Sequence, residues 1–177
     1  MKEIFFVTGN ANKYREAKSI YPELKQLNLE LPEIQSLDCR HIIERKLQEA
    51  MRIKLGLQLL VDDTALHLDC LGGLPGPLIK WFLEALKDRG IFEAARALGN
   101  TKALATTVVG YAKSSQEILF SQGIMSGRLV EPRGASFGWD NIFLPDDHSK
   151  TYGEMTTEEK MQISPRAQAL RGLKLAF

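Results

Sequence analysis

The chain has 177 residues, 44% of them hydrophobic, which suffices for one sizeable core and suits a single domain over residues 1–177. Its 23 basic and 22 acidic residues leave a formal charge of +1, so no global field recruits nucleic acid or an anionic membrane. The first ten residues hold too short an apolar run for a signal peptide, and no later run reaches membrane length, so the cytoplasm is the expected compartment.

In chain order, residues 4–8 read as a buried strand, Gly9 to Asn12 as a loop, and Tyr14, Ala17, Ile20 and Tyr21 as the apolar positions of a helix. Such a strand–loop–helix unit aims backbone N–H groups and the positive helix end at one point, and Lys13 adds a charge. An anion, phosphate above all, is the expected guest, although the loop lacks the spacing of a Walker A or dinucleotide fingerprint. Residues 27–31 read as a short strand left through a turn at Pro32 to Gln35. Asp38 then caps a helix running to about Leu57 with Ile43, Leu47 and Ala50 as its apolar stripe. Lys46 borders that stripe, from which a lysine either snorkels to water or reaches into a cleft.

Leu59, Leu60 and Val61 form an apolar run that ends in two adjacent carboxylates, Asp62 and Asp63, followed by Thr64. The pattern suggests a strand tip. Successive strand residues face opposite ways, so one acid is expected to do chemistry and the other to support it. Paired acids suit a hard cation such as Mg²⁺, and one can serve as general base; the plain alternative is that Asp-Asp-Thr ends the strand and caps a turn.

Gly72-Gly73-Leu74-Pro75-Gly76-Pro77 reads as a rigid turn, with Pro77 leading a helix over residues 78–87 that carries Lys80, Trp81 and Phe82. A second short helix over 92–98 follows Gly90. Residues 102–111 and 117–124 have strand composition, joined by a hairpin at 111–116, and Gly127 to Val130 begins another strand. In the glycine-bearing stretch 132–143, Phe137 and Trp139 offer faces for a base and Asp140 an acceptor. Thr156 and Glu159 have capping-box spacing, which puts Lys160 at a helix start against the dipole. Ser164-Pro165 reads as a cap and first helical residue, with Arg166 in the opening turn. Cys39 and Cys70 lack metal-ligand spacing, and His41, His67 and His148 stand singly.

The ordered set Thr8-Gly9-Asn10 with Lys13, Leu31-Pro32-Glu33, Asp62-Asp63-Thr64, Leu71 to Pro77 running into Ile79-Lys80-Trp81-Phe82, Phe137-Gly138-Trp139-Asp140, and Thr151 to Met155 followed by Glu159-Lys160 resembles the inosine triphosphate pyrophosphatase family, also called XTP/dITP diphosphatases. The resemblance implies an elongated two-lobed α/β fold around a central twisted mixed sheet, with a nucleotide cleft between the lobes, and a homodimer. It implies that Thr8, Gly9, Asn10 and Lys13 hold the triphosphate. Glu33 and Asp63 are implied to serve Mg²⁺ and water activation, with Asp63 as proton acceptor. Lys46, Thr64 and Lys80 match phosphate-side or sugar-side contacts, and Phe137, Gly138, Trp139, Asp140, Lys160 and Arg166 match base contacts.

Two departures stand out. The family usually has Glu-Asp where this chain has Asp62-Asp63, and Ser-His-Arg where it has Ser164-Pro165-Arg166. The implied activity is hydrolysis of ITP, dITP or XTP to the monophosphate and pyrophosphate. The competing readings are a nucleotide-binding regulatory protein with little turnover and a related pyrophosphatase for modified pyrimidine nucleotides.

Overall fold

The first half of the chain builds the parallel part of a sheet. In the computed structural model, which describes residues 3–173 and 175, β1 (Ile4–Val7) leads through α1 (Ala11–Ile20) to β2 (Lys25–Leu27), and α2 (Cys39–Ile53) leads to β3 (Gln58–Leu68). β1 pairs in parallel with both β2 and β3. Both helices start where a side chain satisfies orphan N–H groups: Asn10 accepts from Asn12 and Lys13, and Asp38 accepts from Arg40.

The rest of the sheet is antiparallel. The short β4 (Pro75–Gly76) folds back on β3, and α3 (Ile79–Ala97) returns the chain to β5 (Lys102–Ala112), β6 (Ile118–Leu129) and β7 (Phe143–Pro145). The chain then closes with α4 (Thr157–Ile163) and α5 (Pro165–Leu173). Among the described residues the sheet has seven strands in the order β2-β1-β3-β5-β6-β7, with β4 paired to β3. This is the expected α/β architecture with a central mixed sheet.

Two cores cover opposite faces at one end. Leu60 and Val109 pack with Ala17, Ala169 and Leu170 under α1 and α5, while Leu59, Val61 and Val108 pack with Ile43, Leu47 and Ala50 under α2. A third core at the far end joins Leu66 and Leu68 to Ile79, Ile91, Phe92, Trp139, Phe143 and Tyr152. β3 therefore starts in one lobe and finishes in the other, and the polar residues at its middle fall between the cores.

Several boundaries differ from the sequence reading. Asp62 and Asp63 lie in the middle of the eleven-residue β3, opposite Val109 and Val108, and not at a strand tip. The strand read at 27–31 is instead Lys25–Leu27, and α2 stops at Ile53. The break in α3 falls at Lys87 (φ 60°, ψ 177°) and not at Gly90. The two strands read at 117–124 and 127–130 are one, β6, since ladder pairing with β5 continues through Gly123 and Gly127. Packing explains Gly123. A Cβ there would sit 1.9 Å from the carbonyl oxygen of Pro165, so its absence lets the start of α5 lie directly on β6.

Because neither backbone can yield without moving α5, Gly123→Ala is expected to destabilise the protein by about 1–3 kcal/mol, the cost of overpacking. Urea unfolding checks it; an unchanged midpoint would show that α5 does not seat on this residue.

Candidate active site

The middle of β3 places its two acids on opposite faces, as strand alternation requires. Asp62 points toward α1 and α5, where Lys13 Nζ donates to Oδ1 at 3.0 Å and Arg166 Nε to Oδ2 at 2.8 Å. Asp63 points toward α2, where Lys46 Nζ donates to Oδ1 at 3.2 Å and the Cys39 thiol to Oδ2 at 3.6 Å. Lys46 also lies 3.2 Å from Glu33 Oε1, and Lys80 reaches the other Glu33 oxygen at 3.2 Å. Lys46 does not snorkel to water; two carboxylates hold it in the cleft.

The two acids differ in their surroundings. Burial alone would push the Asp62 carboxyl up, but the Lys13 and Arg166 charges more than offset it and hold it well below the usual carboxylate range. For Asp63 burial prevails over Lys46 and Lys13, and its carboxyl is raised. Neighbouring Cys39 is pushed up to about 12, first by burial and then by Asp63, so it remains a thiol and a donor. One carboxylate is locked in ionised form, and the other is made a better proton acceptor.

The far end of the cleft is organised by a residue that no motif pointed to. Glu16, buried on α1, accepts from Lys160 Nζ at 2.7 Å and from Arg166 Nη1. Lys160 also donates to Asp140 Oδ2 at 2.6 Å, so both carboxylates share one ammonium. Lys160 sits in the last turn of the seven-residue α4, where a cation suits the dipole, and not at the helix start. The charge of Arg166 at the first turn of α5 is met by Asp62 and Glu16. Glu16 lies beside Ala17 of the apolar stripe, and an acid there, next to a buried position, was the only available signal.

Phe137 is half-buried and carries Lys160 Nζ 4.7 Å from its ring centroid. Trp139 is more deeply committed, edge-on to Phe143 at 5.3 Å within the core. Asp140 accepts from Lys160 and Ser136. Phe137, Trp139, Asp140 and Lys160 border one cavity of about 590 Å³. Thr8, Gly9, Asn10, Lys13, Glu33, Lys46, Asp63, Thr64, Lys80, Gly138 and Arg166 border it too, so the structure brings the candidate triphosphate, metal and base residues to a single cleft, with Asp62 and Pro165 beside them.

These features define an α/β protein with a charged, nucleotide-sized cleft between two lobes. The chain belongs to the Ham1 family, whose model matches residues 4–176. It is 42% identical to inosine triphosphate pyrophosphatase 2 of Trypanosoma cruzi, over 99% of this chain and 92% of that protein. It is 40% identical to inosine triphosphate pyrophosphatase of Kluyveromyces lactis, over 97% and 94%. The solved structure of a HAM1 protein from Coxiella burnetii superposes with a TM-score of 0.82 at 26% identity, covering 98% of this chain and 96% of that one.

Because the Asp62 pKa is lower folded than unfolded, its stabilisation is complete above the ordinary carboxylate range and is lost as pH falls below about 4. Asp62→Asn is expected to cost about 3–5 kcal/mol at pH 7, since it strips a buried pair of its anion, and to shrink the loss between pH 5 and 3. Denaturation at both pH values checks this; a full-sized acid loss in the variant would show that other carboxylates carry it.

Proposed function

We propose that this chain hydrolyses ITP, dITP and XTP, non-standard purine nucleoside triphosphates, to the monophosphate and pyrophosphate, clearing them from the nucleotide pool. The carrying observation is that one cavity joins two chemistries. Lys13, Lys46 and Lys80 stand with Asp63 and Glu33, and Phe137 stands with Lys160 and Asp140. The names of the Trypanosoma and Kluyveromyces relatives support the reading.

The Thr8–Asn10 loop and Lys13 bind the triphosphate at the start of α1. Asp63 takes the proton of the water that attacks the α-phosphorus, and Lys46 fixes one of its oxygens. Asp62 positions Lys13 and Arg166 instead of reacting. Lys160 and Arg166 offer donors to the oxo group at C6 of hypoxanthine or xanthine, where adenine presents an amino donor.

A divalent cation, Mg²⁺, fits the acids present. Glu33 and Asp63 already share one cationic atom, the Lys46 nitrogen, at 3.2 Å from each. Among the described residues no three acid, His or Cys side chains converge, so substrate phosphate oxygens would complete the shell, as is usual for Mg²⁺. When bound there, the ion supplies charge neutralisation for the departing pyrophosphate. The same reading makes the protein a cytoplasmic homodimer acting as one domain; no helix among the described residues is long and apolar enough to cross a membrane.

Incubation with ITP and Mg²⁺ is expected to yield IMP and pyrophosphate by phosphorus NMR. IDP with orthophosphate would point to another phosphatase, and no turnover to a binding protein. Asp63→Asn is expected to retain most affinity while kcat falls about 10²–10⁴-fold, the usual worth of a general base; a kcat within a factor of a few of the parent would remove Asp63 from that role.

Pro165, buried at the first position of α5, borders the cleft beside Arg166 where the family usually carries an imidazole. Proline breaks no intrahelical hydrogen bond there, so the helix stands and only a potential donor to the base is lost. Pro165→His is therefore expected to widen the kcat/KM preference for ITP over GTP by roughly two- to tenfold, the worth of one neutral hydrogen bond, with little change in Tm. An unchanged or narrower preference would place selectivity wholly on Lys160, Arg166 and the Phe137–Asp140 wall.

A further inference from the structure

Among the described residues, the hydroxyl of Tyr152 is the one buried side-chain polar atom with no hydrogen-bond partner. Its ring is held in place by its backbone and its packing. The capping box of Thr151 and Glu154 fixes the short helical turn that carries it, and the ring packs 5.1 Å from Phe143 and 6.1 Å from Trp139. An orphaned hydroxyl is a standing cost unless something later uses it.

The neighbourhood indicates what uses it. The Lys160 ammonium lies 5.4 Å from the Tyr152 ring centroid, and its nitrogen is 2.6 Å from an Asp140 oxygen and 2.7 Å from a Glu16 oxygen. Burial, and then those two charges, raise the phenol above its usual range, so it keeps its proton and remains a donor. Lys160 has three N–H bonds, and Glu16 and Asp140 take two. A second cavity of about 390 Å³ borders Lys160, Phe137 and Tyr152, leaving room for these side chains to shift.

We propose that Tyr152 is a specificity-determining positioning residue of the base pocket, its hydroxyl held in reserve for the carboxylate that Lys160 loosens when it turns to a 6-oxo purine. The proposal rests on the reading that the cleft takes such purines. An oxo group accepting from Lys160 draws the ammonium off the point it shares between Glu16 and Asp140. The loosened carboxylate, still buried, needs a donor, and the unengaged phenol supplies one. A 6-amino purine draws no ammonium, so with it the hydroxyl stays unpaired. The base-bound state gains a hydrogen bond that the free protein lacks, and only for the oxo class.

Tyr152→Phe tests this, because it deletes the hydroxyl and keeps the ring. Steady-state kinetics on ITP and ATP are expected to show kcat/KM for ITP falling roughly two- to tenfold, the worth of one neutral hydrogen bond, with a smaller change for ATP. The Tm of the ligand-free protein should hold or rise, since no bond is lost. An unchanged ITP-to-ATP ratio overturns the proposal, and a lower Tm with that unchanged ratio assigns the hydroxyl to a structural water instead. A parent protein that makes no IMP and pyrophosphate overturns the functional reading and this proposal together, whereas an active parent with an unchanged ratio overturns the proposal alone.

Discussion

A buried chain of alternating charges holds the cleft together. It runs Asp140, Lys160, Glu16, Arg166, Asp62, Lys13, each touching the next. Taking five charges out of water, and Lys13 partly so, is costly, and burial of this kind is tolerated only when every member is paired and hydrogen-bonded. Here the sum is zero, and the interior members each touch two of opposite sign. The chain stitches α1, β3, α4, α5 and the turn after Trp139, five segments far apart in sequence. Its value lies less in net stability than in fixing where those segments meet.

β3 is what gives the chain its chemical direction. Alternation along an extended strand sends Asp62 into the network and Asp63 to the other face, where fewer cations reach it. The same residue type is thereby pushed in two directions, one acid locked ionised and the other raised. On the proposed reading, environments that separate paired carboxylates in this way set the acid–base roles before any substrate arrives. A shift of register by one residue would exchange the two acids and leave Arg166 facing the wrong side chain. The long ladder to β5, from Leu59–Ala112 to Leu68–Ala103, holds that register against slippage.

Local signals were the legible ones. Asp38 and the Thr156–Glu159 box announced helix starts because a cap is a contact of two or three residues, readable from spacing. Strand ends were misread where polar residues or glycines sat inside a strand. Asp62 to Thr64 looked like a terminus because the acids broke the apolar run, and Gly127 looked like the start of a new strand although it makes room for a close neighbour. Glu16 stayed hidden because its partners lie 144 and 150 residues away. The cleft itself was legible through the ordered family motifs, since no single stretch of residues would have brought Lys46, Lys80 and Phe137 together.

The two ends of the cleft also differ in how firmly their charges are committed. Glu33 and Lys80 are about half exposed, with side-chain accessibilities of 49% and 60%, so their pairing is worth little and is easily exchanged. Lys160, Glu16 and Arg166 all lie below 10%. A triphosphate arriving with its counter-ion can therefore displace Lys80 from Glu33 at small cost, and any nucleotide brings the same phosphates. At the base end Lys160 keeps one N–H beyond the two that Glu16 and Asp140 take, and turning it to a base shifts an ammonium held in a buried network, at a cost. On the proposed reading that cost is repaid only by a base whose acceptor meets Lys160 or Arg166, which would set affinity at the loose end of the cleft and discrimination at the tight one.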